Sequence, residues 1–253
     1  MTPWGIALIT FVCVFGGALA GMRLRRLLPE EHLREESKDM VRLVTGLIAT
    51  LSALVLGLLI ASATNSFDAV NEGFKESAAK IILVDRALAQ YGPETKELRM
   101  TIREAYAARI KQLFPADRSK GAAGEGFVEP ASVEGIEQRI QALTPATELQ
   151  RSQKARALQL GNEIAQARWM AFEEVGTRTP TLFLAVLVAW LTAMFTSFGL
   201  FAPRNRTTIT ALVIGALSVA TAILIIEELS DPLNGIIAIS STPMLNALGM
   251  LGK

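Results

Sequence analysis

A run of small residues leading into acidic ones is the pattern in this chain whose residue types and spacing point most directly to chemistry. Gly46, Thr50, Ala53, Gly57, Ala61 and Thr64 stand three to four residues apart. Helical periodicity puts all six on one face, and that face continues through Asn65 into Asp68, Glu72 and Lys75. Small side chains leave room for water, and threonine hydroxyls solvate ions. Glu227, Glu228 and Asp231 form a second acidic group just before Pro232. Repeated around a symmetric ring of subunits, such carboxylates concentrate cations at the entrance of a path. Acids at a helix C-terminus oppose the helix dipole, which makes the second group unfavourable on local grounds alone. The plainer readings are tight helix packing for the small residues and a solvated helix end for the acids.

Bond-making chemistry finds little support. The single histidine, His32, lies in a charged loop, and the single cysteine, Cys13, has no partner for a disulfide. Neither an HExxH nor a CxxC pattern occurs, so a zinc site or a histidine-based triad is hard to build. Gly121, Gly124 and Gly126 mimic a phosphate loop, but no strand precedes them. The sequence therefore implies no catalytic residue, metal or cofactor. A net charge of +1 gives no basic surface for nucleic acid.

The elements that must position the acids and small residues are set by charge-free windows. Residues 1–22, 43–67, 179–203 and 207–226 contain no Asp, Glu, Lys, Arg or His. At about 1.5 Å rise per residue, roughly 20 residues cross the hydrocarbon core of a bilayer. One charge at the centre of such a helix costs about 2.5–3.5 kcal/mol on the insertion scale, so four clean windows read as four spans. The expected fold class is an all-α membrane protein with four transmembrane helices and a helical extramembrane bundle inserted between spans two and three. Ala18-Leu19-Ala20 resembles a signal cleavage site, yet the segment lacks a basic leader and is followed by Arg23, Arg25 and Arg26. It is read as a retained anchor.

Arginine and lysine in short loops stay on the cytoplasmic side. The loop between spans one and two carries Arg23, Arg25, Arg26, Arg34, Lys38 and Arg42, and the loop between spans three and four carries Arg204 and Arg206. The expected topology puts both termini and the insertion outside. Glu30, Glu31, Glu35, Glu36 and Asp39 in the first loop do not alter this, because the rule does not count net charge. The domain boundaries expected are 1–64 for spans one and two, 65–178 for the extramembrane domain, 179–226 for spans three and four, and 227–253 for an interfacial tail.

Within the insertion, Phe67, Val70, Phe74, Ile81 and Leu88 recur at helical spacing as far as Tyr91-Gly92-Pro93, so span two is expected to continue as one long helix. Further helices are expected at 94–113, from a Ser132 cap to Leu143, and at 147–176. The stretch at 115–131 reads as a loop. Spans three and four carry small-residue stripes at Ala185, Ala189, Ala193 or Thr192, and Thr196, and at Ala211, Gly215, Ser218 and Ala222. The tail, apolar but broken by Pro243, is expected in the interface or packed under the bundle.

Several of these stretches resemble a bacterial membrane family of unknown function classed as bestrophin-like. They are LVTGLIATLSALVLGLLIASA (43–63), NSFDAVNEGF (65–74), DRALAQYGPE (85–94), FGLFAPRN (198–205) and DPLNGIIAISSTPMLNAL (231–248). The likeness covers the whole chain, with Leu233 where such relatives usually have Phe. It implies an oligomeric ion channel of four-span subunits, pentameric in bestrophins, in the bacterial inner membrane. Residues 43–66 contain no aromatic side chain, so no bestrophin pore residue is carried over. The expected function is passive ion conduction with inorganic ions, the bilayer and further copies of the chain as partners. Span two lines the path in that reading, and the outer carboxylates favour cations. The rival is a membrane scaffold or sensor that binds a partner through its helical domain.

Overall fold

The computed structural model describes residues 2–27, 35–115, 133–176, 181–203, 205–233 and 235–253. Glu30, Glu31, His32, Arg34, Gly121, Gly124, Gly126, Ser132 and Arg204 lie outside these residues. Eight α-helices occur among those described: α1 (Pro3–Leu24), α2 (Glu35–Tyr91), α3 (Lys96–Leu113), α4 (Val133–Gln141), α5 (Glu148–Gly176), α6 (Thr181–Phe201), α7 (Arg206–Leu229) and α8 (Thr242–Met250). Helices α1, α2, α6 and α7 are long and apolar enough to cross a membrane. The all-α class with four spans stands.

Two compact units partition the chain, Met1–Ser66 with Thr177–Ser230, and Phe67–Gly176 with Asp231–Lys253. In the first, α1 packs on α6 and α7. Val14 and Ala18 of α1, Leu187 and Phe195 of α6, Ala216 and Ile223 of α7, and Ala63 of α2 share its core. Lipid is as apolar as these side chains, so close van der Waals contact must hold the helices together. Two glycines allow it. A Cβ at Gly21 would stand 2.0 Å from the Thr196 carbonyl oxygen, and one at Gly199 would stand 2.0 Å from that of Ala18. Thr192 and Thr196 of α6 satisfy their hydroxyls within their own helix, as lipid requires: Thr192 donates to Val188 O at 2.7 Å and Thr196 to Thr192 O at 2.8 Å.

The helix boundaries follow local chemistry. Thr2 caps α1, its hydroxyl accepting from the Gly5 amide at 3.3 Å, with Pro3 in the first turn where its missing N–H costs nothing. Asn205 caps α7 by accepting from the Thr208 amide at 2.7 Å. Helix α2 runs unbroken for 57 residues. It stops at Gly92, whose φ of 149° is available to glycine and costly for other residues. The buried Thr95 hydroxyl lies 2.6 Å from Leu88 O, in the last turn of α2, and 2.8 Å from Gly92 O, so it can serve a carbonyl left open by the helix end.

In the second unit Val84, Ala87 and Leu88 of α2 meet Leu98 and Ile102 of α3, Ile140 of α4 and Ala157 of α5. Lys96, Glu97, Arg103 and Glu104 on α3 are exposed, so water is the reference solvent here. Each buried Leu or Ile then stabilises by about 1.5–3 kcal/mol. Polar ties fix the helix order. Lys80 bridges Glu76 and Glu163 at 2.8 and 3.1 Å, joining α2 to α5. Lys154 of α5 donates to Gln141 O and Leu143 O at the end of α4. Helix α8 packs on α3, with Met244, Ala247 and Leu251 of the tail buried.

Candidate functional site

The membrane part of α2 presents three different faces. At about 100° per residue, the six small residues fall within an arc of roughly 80°. Gly46, Thr50, Ala53, Gly57 and Ala61 are exposed and Thr64 is half-buried. A Cβ at Gly46 or Gly57 would meet nothing within 4 Å. The adjoining arc carries Leu43, Leu47, Leu51, Leu54 and Leu58, all exposed. The arc roughly 120° from the small face packs inward through Thr45, Ser52 and Ala63, with Val55, Leu56, Leu59 and Ile60 against the core.

The helix is therefore anchored by one face, and its small-residue face is left uncovered by the rest of the described chain. Among the four candidate spans it is also the least covered: its most apolar 18-residue stretch is 17% buried, against 39% for α1. The small residues of α1 and α6 are spent differently. A Cβ at Gly17 would collide with Thr192, and Gly21 and Gly199 lie against the facing backbone. Ala185, Ala189 and Ala193 of α6 and Ala211 and Ser218 of α7 are exposed. Gly215 faces the Phe195 ring, 3.0 Å from where its Cβ would be.

The chemistry of the α2 face comes from its threonines. The Thr50 hydroxyl donates its proton to Gly46 O at 2.9 Å, which leaves oxygen lone pairs as its remaining hydrogen-bonding capacity. Such an oxygen accepts from water and coordinates cations. Ser52, on the inward face, is a buried hydroxyl with no partner among the described residues.

The acidic residues divide. Asp68 is exposed on α2, and Glu72 pairs with Lys75 at 2.7 Å with both side chains largely in solvent. Such an i,i+3 pair contributes a few tenths of a kcal/mol. Glu227 and Asp231 are half-buried, and Glu228 is 4% exposed. Glu228 thus departs from the expected solvated helix end: one residue is about 100° of helix, enough to turn it away from Glu227 and into the protein. Among the described residues no cluster of three or more metal-ligating side chains occurs, and Cys13 is exposed.

Sequence reading missed a charge pair in the second unit. Asp85, 1% exposed, receives two parallel bonds from Arg99, Nε to Oδ1 and Nη2 to Oδ2, each 2.8 Å. Arg99 Nη2 also donates to Lys253 O at 2.6 Å, and the Gly252 amide donates to Asp85 Oδ1 at 3.3 Å. The bidentate pair thereby clamps the tail after α8. The carboxylate raises the Arg99 pKa further. Nearby on α3, burial pushes the Tyr106 phenol up to about 12, and its hydroxyl has no partner among the described residues. The signal available in sequence was Asp85 and Arg99 flanking Gly92-Pro93 at a separation that lets a helical turn-back bring them together.

A family model described as Bestrophin-like domain matches residues 12–244. A crystal structure described as that of "a membrane protein" superimposes with a TM-score of 0.67 over 96% of this chain and 98% of that one, at 13% identity. That likeness shows a shared fold. No curated protein matches the chain.

Proposed function

The chain belongs to the bestrophin-like family, and from that premise we propose that it assembles into a homo-oligomeric ion channel in which the small-residue face of α2 lines the path. The observation that carries this is the uncovered face itself: Gly46 and Gly57 look onto open space in a helix anchored by another of its faces. Several copies around an axis would turn such faces toward one another. Conduction is passive in this reading, since the charge-free windows hold no Asp, Glu, Lys, Arg or His at mid-membrane to couple transport to protons. Thr50 oxygens and the Asp68 and Glu72 carboxylates favour cations. The arginines of the two short loops favour the cytoplasm for those loops, so both termini and the α3–α5 helices face the outside of a bacterial inner membrane in this reading.

The rival reading makes the same face a dry contact between copies in a scaffold without transport. The exposed leucines beside it favour that reading, because a small face bordered by leucines is also a packing surface. Gly57→Leu separates the two. Nothing within 4 Å in the single chain obstructs the first atom of the new side chain. In a channel it blocks flux from proteoliposomes while the oligomer persists. In a dry interface it breaks the oligomer. Normal flux through an intact oligomer removes α2 from the path.

A further inference from the structure

A groove of about 450 Å³ lies where the end of α6 meets the start of α7, within the size range of ligand pockets. Its floor is apolar, formed by Phe195, Phe198, Ala211 and Leu212. Phe195 and Phe198 stand with ring centroids 5.8 Å apart, and Phe195 is backed by Gly215. Its polar end is formed by Asn205 and Thr207, at the point where the charge-free stretches stop and Arg206 begins. The groove thus passes from hydrocarbon-like to headgroup-like lining along its length.

The charge around the polar end is positive. Arg25, which follows α1, donates Nη1 to Ala202 O at 2.9 Å, fixing its guanidinium beside a lining residue. That bond uses one of five N–H donors, leaving four for an anion. Arg206 is exposed immediately next to Asn205 and Thr207. Among the described residues no acidic side chain lines the groove. An apolar slot with one guanidinium bonded to a lining residue, and a second arginine between two lining residues in sequence, matches one ligand class.

We propose that this groove is a binding site for an anionic phospholipid, one acyl chain lying over Phe195 and Phe198 and the phosphate held by Arg25 and Arg206. The site is separate from the α2 face and does not depend on conduction. Basic side chains at such a boundary each favour an anionic headgroup by about five-fold in affinity. An acyl chain in the slot adds contact without selecting the head.

The test is native mass spectrometry of the full chain released from nanodiscs holding equal phosphatidylglycerol and phosphatidylcholine. Wild type is expected to retain phosphatidylglycerol in preference. Arg206→Ala is expected to lower the ratio of the two lipids about five-fold. Ala211→Trp, an exposed position, is expected to fill the slot and abolish retention. Should that variant fail to elute as folded protein, the Arg206→Ala ratio decides alone. Equal retention of both lipids by wild type, an unchanged ratio in Arg206→Ala, or full displacement by sn-glycerol 3-phosphate at matched concentration overturns the proposal. The last outcome would mark a soluble-anion site.

Discussion

Replacing Gly57 and Gly21 separately with alanine should change stability in opposite directions, because the two glycines are used for opposite purposes. In a helix, alanine is favoured over glycine by about 0.5–1 kcal/mol, chiefly through backbone entropy. At Gly57 the added Cβ meets nothing within 4 Å, so the gain is kept. For a chain of this size that amounts to a rise of about 2–4 °C at most. At Gly21 the Cβ would sit 2.0 Å from Thr196 O and 2.9 Å from the Leu200 amide nitrogen. Both are backbone atoms, so α1 and α6 must separate. Overpacking of this kind costs about 1–3 kcal/mol, which outweighs the helical gain. Thermal unfolding of both variants in the same detergent, followed by size exclusion after heating, reads the difference. Destabilisation of Gly57→Ala to the extent of Gly21→Ala would refute the reasoning. It would mean that the assembled protein packs Gly57 as tightly as the single chain packs Gly21.

Arg99→Ala should leave Asp85 buried without its partner, a change that costs about 3–5 kcal/mol, and should expose the tail after α8 to limited proteolysis. An unchanged digestion pattern would separate the Asp85–Arg99 pair from tail docking. Tyr106 should ionise late in an alkaline absorbance titration, read in a Tyr91→Phe background so that it gives the only phenolate signal: burial pushes it up to about 12. The unfolded chain loses this proton near pH 10 and the folded chain about two pH units higher, so its contribution to stability is complete below about pH 10 and is lost as pH rises toward 12. A phenolate signal at about pH 10 in folded protein would contradict the burial. Asp68→Asn with Glu72→Gln should move the reversal potential toward zero under a salt gradient, and an unchanged potential would reject their part in cation preference.

Most of the fold was legible because its cause is one-dimensional. Four windows without charge admit few solutions other than spans, and Gly92-Pro93 had to end α2, since proline removes a donor and positive φ suits glycine. The small-residue stripes were legible as stripes and ambiguous in use. Gly57 on α2 and Gly21 on α1 each belong to a charge-free window, and only the partner helix decides that one is open and the other pressed against Thr196. Glu227 and Glu228 look alike as neighbours, yet helical rotation buries the second. The Asp85–Arg99 clamp was hidden for another reason. Its third member, the backbone at Gly252 and Lys253, comes from the far end of the sequence, and no local pattern announces where a tail will fold back.

Conduction is tested most directly by recording the purified, reconstituted protein in a planar bilayer under a KCl gradient. Discrete current steps with a reversal potential displaced toward that of potassium are expected. Silence from folded oligomer across voltage and pH would contradict a path along α2 and leave its open face to contacts between copies.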